Sequence, residues 1–137
     1  MIGSKVKYDT IKRNWHLFDA NEEYLGRLAS KSATLLMGKN KSYFVPHLDC
    51  GDYVVILNAE NLKVSGSKDS KPYYRHSGYP GGIKMRTLGQ LRETNPEEII
   101  RNAIIGMLPK SKLGRSMVKK LYVVKGKDNP YKNKFKD

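Results

Sequence analysis

Tyr53-Val54-Val55-Ile56-Leu57-Asn58 is a continuous apolar run bounded by Gly51-Asp52 before it and Asn58 after it. A strand with one wet face alternates apolar and polar residues. A run without alternation reads as a strand buried on both faces, as in a parallel sheet covered by helices. Upstream, Leu25, Leu28, Ala29, Ser32, Leu35 and Leu36 recur at helical spacing, with Arg27, Lys31 and Thr34 opposite, and Gly38 is placed to end that helix. Glu22 and Glu23 precede it, where the positive end of the helix dipole favours acids. Further upstream, Trp15-His16-Leu17-Phe18-Asp19-Ala20 reads as an aromatic-rich strand closed by the turn Asn21-Glu22-Glu23.

Downstream, Asn61-Leu62-Lys63-Val64-Ser65-Gly66 reads as a turn into another strand, followed by a polar loop over 67–72. Thr87 is placed to cap a short helix carrying Leu88 and Leu91. Asn95-Pro96-Glu97-Glu98 is a strong start signal: an Asn cap, Pro at the first helical position, and Glu98 at the third to close a capping box. Ile99, Ile100, Ala103, Ile104 and Met107 form its apolar stripe, and Pro109 ends it. A short basic helix over 114–120 and a strand at Leu121-Tyr122-Val123-Val124 complete the pattern. Alternating strands and helices give an α/β fold: three layers, helices/sheet/helices, around a mostly parallel sheet of about four strands. The expected organisation is a single domain over 1–137: a basic leader at 1–14, an α/β core at 15–124, and a disordered or partner-ordered basic tail at 125–137.

Charge narrows the partners. The chain has 26 Lys and Arg against 13 Asp and Glu, a net charge of +13. Residues 110–137 hold 10 of the bases and 2 of the acids, so over half of the excess lies in the last fifth of the chain. A polyanion is the expected partner. No apolar run approaches the roughly twenty residues of a spanning helix, and the first residues lack a secretory pattern. The single Cys50 cannot form an intrachain disulfide, which fits a reducing compartment.

Tyr74-Arg75-His76-Ser77-Gly78-Tyr79-Pro80-Gly81-Gly82-Ile83-Lys84-Met85-Arg86 breaks the fold pattern. Its glycines let backbone approach another surface and reach φ > 0, while Arg75, Lys84 and Arg86 supply charge and His76 and Tyr79 supply planes for stacking on bases. It reads as a gripping loop. Met107-Leu108-Pro109-Lys110-Ser111-Lys112-Leu113-Gly114-Arg115, running on to Lys119-Lys120, is a second basic segment punctuated by Gly and Pro. The helix starting at Asn95 joins the two into one broad surface for RNA. Both segments also fit solvated loops and helix faces, a reading as strong as the functional one for Lys119 and Lys120 taken singly.

Enzymatic readings find little support. Gly38-Lys39 lacks the upstream Gly of a phosphate-binding P-loop, since position 33 is Ala33, and Asn40 stands where Ser or Thr is required. His47 and Cys50 have no second pair at metal-ligand spacing. Asp49 and Asp52 fit a Gly-Asp turn, and Glu97 and Glu98 fit a helix start. No acid/base constellation, metal site or cofactor site is expected.

Taken together, the segments Tyr74 to Gly82 and Gly106 to Arg115 resemble the two signature segments of the large-subunit ribosomal protein thirteen family of bacteria and organelles. Leu25-Gly26-Arg27-Leu28-Ala29, Gly38-Lys39 and Gly51 to Ala59 are similar to it too, in the same order, so that the resemblance spans roughly residues 14 to 125. Cys50 stands where the family pattern has a small hydroxyl residue. The resemblance implies a non-catalytic constituent of the large ribosomal subunit, located in the cytoplasm or an organelle interior, that binds large-subunit rRNA early in assembly beside neighbouring ribosomal proteins. Neither a membrane nor a homo-oligomer is expected. The expected RNA contacts are Lys39, Lys41, Arg75, His76, Ser77, Gly78, Tyr79, Gly81, Gly82, Lys84, Arg86, Lys110, Lys112, Arg115, Lys119 and Lys120. Two other readings stay open: a regulator binding messenger RNA through the same surface, and a nucleotide-dependent enzyme using His76.

Overall fold

The apolar run at Tyr53–Leu57 forms β2, the central strand of a three-stranded parallel sheet ordered β1-β2-β5, with β1 at Trp15–Asp19 and β5 at Leu121–Val123. The computed structural model describes residues 7–66 and 70–135. Val54, Val55 and Ile56 have no exposed surface, because neighbours cover both faces of β2 and strands flank both edges. The chain passes from β1 to β2 through α1, Leu25–Met37. Its buried residues Leu28, Ala29, Ser32, Ala33 and Leu36 recur at the spacing read from the sequence. Gly38 ends the helix in the left-handed conformation, φ 81°, and a Cβ there would lie 2.5 Å from the Cys50 carbonyl oxygen. Only Gly suits both demands.

The α/β architecture with a parallel sheet is as expected, and its details differ from the sequence reading in several places. First, α1, α2 (Leu88–Thr94), α3 (Pro96–Met107) and α4 (Lys112–Val118) all bury side chains in one cluster with Val54, Ile56 and Leu121. The helices therefore gather on one sheet face. On the other face, Trp15 stacks on Tyr53 at 4.4 Å and on Tyr122 at 5.6 Å, and Tyr131 and Phe135 each lie 6.0 Å from the indole. Aromatic rings and the C-terminal segment stand there in place of a second helical layer.

Second, the tail is ordered as far as Phe135. Val124, Lys125 and Gly126 accept hydrogen bonds from Ala59, Glu60 and Asn58, and Lys132–Phe135 forms a 3-10 turn. The basic composition hid two aromatic anchors, Tyr131 and Phe135. Residues 136 and 137 lie outside the described residues. Part of the leader is anchored as well: the Tyr53 N–H donates to the Asn14 carbonyl at 2.9 Å, and Arg13 donates to the Asp49 and Gly51 carbonyls. Residues 1–6 of the leader and 67–69 of the polar loop are outside the described set.

Third, the strand expected within 61–66 is only a bridge between Tyr24 and Lys63, which leaves three strands in the parallel sheet. The other two strands form a separate antiparallel ribbon, β3 (Pro72–His76) with β4 (Ile83–Thr87). Fourth, the capping box belongs to α2. Thr87 Oγ1 accepts from the Gln90 N–H at 3.4 Å, and Gln90 Oε1 accepts from the Thr87 N–H at 3.1 Å. Asn95 starts α3 with Pro96 at the first turn but makes no side-chain cap, and the Glu98 carboxylate pairs with Arg75 at 3.0 Å instead. The short basic helix α4 runs from Lys112 to Val118, two residues earlier than its spacing predicts, because Ser111 caps it by accepting from the Gly114 N–H at 3.4 Å.

Candidate nucleic-acid interface

The Gly-rich stretch is a β-hairpin. Opposed residues of an antiparallel pair share a face, and successive residues alternate. The register Tyr73↔Arg86 and Arg75↔Lys84 therefore sets Tyr73, Arg75, Lys84 and Arg86 on one face, and Tyr74↔Met85 and His76↔Ile83 set an aromatic and apolar ladder on the other. Tyr73 packs against the core and Arg75 reaches Glu98 on α3, so the first face turns toward the body. The second is open: Tyr74 is 69% exposed, Ile83 64% and Met85 56%. The period-2 alternation of Tyr74, His76, Ile83 and Met85 was the missed hairpin signal, masked by the glycines between the two runs.

The tip is tied to itself. The Ser77 N–H donates to the Gly82 carbonyl at 3.1 Å and the Gly82 N–H to the Tyr79 carbonyl at 2.9 Å. Gly78 and Gly81 take φ of 86° and 71°, where an L side chain is strained. The Gly78 N–H donates to His76 Nδ1 at 2.8 Å, which assigns the proton of the neutral ring to Nε2. Tyr79, between the two left-handed glycines, is 76% exposed.

The second segment continues from α3. Leu108 is buried and anchors the turn, whereas Lys110, Lys112, Arg115 and Lys119 are exposed. Gly114 lies under Pro109 so closely that a Cβ would meet the Pro109 carbonyl oxygen at 1.8 Å. The hairpin base and the end of α3 meet, since Tyr73 and Met107 line one cleft together with Leu25 and Leu88. Among the described residues, Lys39, Lys84, Arg86, Lys110, Lys112, Arg115 and Lys119 have no carboxylate partner.

Lys41 and Lys120 are placed differently from these. The Lys120 side chain is 8% exposed and donates to Asp49 Oδ1 and to the Leu36 carbonyl. Lys41, 10% exposed at its side chain, pairs with Asp52 at 2.6 Å. Arg13 lies 3.7 Å from Asp49, and His16 Nε2 lies 2.8 Å from Asp52 Oδ2, which completes a largely buried cluster of charge beside the start of β2. Burial pushes the Asp52 carboxyl up, but hydrogen bonds from Lys41, His16 and the Asn14 N–H outweigh it and hold Asp52 below the ordinary value of 3.8. Burial also draws the Lys120 ammonium below 10.5, against the bond to Asp49. Asp49 and Asp52 are therefore more than turn residues. The signal was two acids beside the most apolar strand of a chain short of acids.

Comparison with known proteins gives the family of the chain. A family model described as ribosomal protein L13 matches residues 13–130. The chain belongs to the ribosomal protein L13 family. Among its relatives, a large ribosomal subunit protein uL13 from Nitratiruptor sp. is 53% identical over 126 residues, covering 92% of this chain and 91% of that protein. The protein of the same name from Mycolicibacterium smegmatis is 53% identical over 87% of this chain and 82% of its own length. That from Prochlorococcus marinus MIT 9312 is 55% identical over 90% and 87%. Members of the ribosomal protein L13 family are structural components of the ribosome, and this protein is not an enzyme. Among the described residues no His, Cys, Asp and Glu side chains group as metal ligands, and no helix is long and apolar enough to cross a membrane.

Proposed function

We propose that this protein is a constituent of the large ribosomal subunit, in the cytoplasm, that binds large-subunit rRNA through its hairpin and its Met107–Lys119 segment and supports early assembly beside neighbouring ribosomal proteins. The division of its cations into two classes carries this reading. Acidic side chains near β2 neutralise Arg13, Lys41 and Lys120, while Lys39, Lys84, Arg86, Lys110, Lys112, Arg115 and Lys119 are exposed and have no carboxylate partner among the described residues. Outward charge without internal partners is a term that phosphate neutralises, with release of condensed counterions. Arg75 is shared with Glu98 and exchanges that exposed pair for a phosphate at little cost. His76, Tyr79 and the glycines at 78, 81 and 82 present stacking planes and bare backbone at the tip.

The test is affinity for a large-subunit rRNA fragment against salt. Each phosphate contact contributes about 0.7–0.9 to the slope of log affinity on log salt. Changing Lys84 and Arg86 to Ala should weaken binding and lower the slope by roughly 1.5. An unchanged affinity and slope would refute the hairpin as the site. Displacement of the fragment by an unrelated messenger leader at equal affinity would refute specific scaffolding in favour of general RNA binding.

A further inference from the structure

Between the C-terminal end of α3 and the first turn of α4 lies an open cleft of about 330 Å³. Ile105, Leu108, Pro109 and Val118 line it with apolar surface, and Lys110 and Arg115 add two cations to a lining that also includes Ser111 and Gly114. Ile105 keeps 40% of its surface in water although it is a large aliphatic residue on a folded helix. Both cations are exposed, and neither pairs with a carboxylate among the described residues. The cleft is held in shape before any ligand arrives. Gly114 closes against Pro109, Ser111 Oγ takes the Gly114 N–H, and Leu108 is sunk in the core.

We propose that this cleft binds one unstacked nucleotide of the rRNA, with its base against Ile105, Leu108 and Val118 and its phosphate on Lys110 and Arg115. The inference deepens the RNA-binding reading above and rests on it. Pockets for small ligands begin at roughly 300 Å³, so the cleft suits a single nucleotide-sized group and is too small for a helix. Sequence-specific RNA recognition targets bases splayed from the stack onto side chains, with phosphates held by cations. A peptide side chain would use the apolar wall but leave both cations without a counter-charge. A nucleotide satisfies wall and cations together.

The experiment is an NMR titration of the full-length, isotopically labelled protein with AMP, UMP, ribose 5-phosphate and inorganic phosphate at constant ionic strength. The nucleotides should shift the amides of Ile105, Leu108, Lys110, Gly114, Arg115 and Val118 more strongly than ribose 5-phosphate or phosphate does. Ile105→Ser, at a surface position, should weaken AMP binding on the order of fivefold and leave phosphate binding unchanged, since aliphatic contact sits at the low end of base-stacking gains. Arg115→Ala should weaken both. Equal shifts from AMP and phosphate, or no effect of Ile105→Ser on AMP, would overturn the pocket. Ile105→Ser should also weaken rRNA-fragment binding without changing its salt slope. If rRNA binding stays intact in Ile105→Ser and AMP leaves the cleft unshifted, the pocket alone falls. If the wild-type protein fails to bind the fragment, the RNA reading falls and the pocket with it. Shifts of the cleft amides by large-subunit proteins but by neither AMP nor rRNA would assign the cleft to a protein partner and overturn the proposal.

Discussion

Replacing Lys120 with Met tests whether this lysine belongs to the fold or to the RNA surface. Met keeps most of the aliphatic stem and removes the ammonium, which donates to Asp49 and, at 3.2 Å, to the Leu36 carbonyl. Asp49 is then left 7% exposed with the Gly51 N–H at 3.2 Å and Arg13 at 3.7 Å. Breaking a buried pair by removing one partner costs about 3–5 kcal/mol. Arg13 remains as a second cation, so the cost should fall at the lower end, about 3 kcal/mol. For a chain of this length that lowers the melting temperature by roughly 10 °C. Urea titration followed by circular dichroism measures the loss, and rRNA affinity is then read at a temperature where the variant is fully folded. That affinity should match wild type. Lys119→Met, at the exposed neighbour, should give the reverse: near-native stability and weaker binding with a shallower salt slope. Adding Asp49→Asn to Lys120→Met should recover part of the stability by removing the uncompensated charge. A loss below about 1 kcal/mol together with an RNA defect equal to that of Lys119→Met would refute the internal assignment of Lys120.

Three further outcomes follow from the same geometry. Asp52 titrates below 3.8 in the folded protein, so its contribution to stability is complete above that unfolded-state value and is lost as pH falls through the lower folded value; Asp52→Asn should flatten the acid limb of stability measured by denaturant titration between about pH 5 and 2, and an unchanged limb would contradict the cluster. Gly114→Ala forces a Cβ to 1.8 Å from the Pro109 carbonyl oxygen and should cost about 1–3 kcal/mol, while Gly106→Ala, with nothing within 4 Å, should be neutral or slightly stabilising in the same unfolding assay. Phe135→Ala should red-shift the emission of Trp15, the sole tryptophan, and cost about 1 kcal/mol; an unshifted spectrum would mean that the C-terminal turn does not cover the ring.

The elements with strong local periodicity were legible in the sequence. The unbroken run at Tyr53–Leu57 marked the central strand because only a strand covered on both faces loses its alternation. The stripe of α1 and the Pro96 start of α3 were equally local. The hairpin was half legible: its glycines and cations stood out, but its alternation was short and interrupted. The order of the tail was not legible, because Tyr131 and Phe135 gain their value from Trp15, more than a hundred residues away in sequence.

Composition and pattern thus determined by themselves that the chain folds as α/β around a parallel strand, carries a large positive excess and concentrates it in two Gly/Pro-punctuated segments. Tertiary structure alone decided what each charge does. Lys119 and Lys120 are adjacent and identical in type, yet one faces water and the other reaches Asp49, 71 residues away, in the interior. Local propensity acts within a few residues, whereas the cost of burying a charge is settled by whichever opposite charge the fold brings beside it. The face to which each helix packs was decided in the same way, by contacts between elements far apart in the chain.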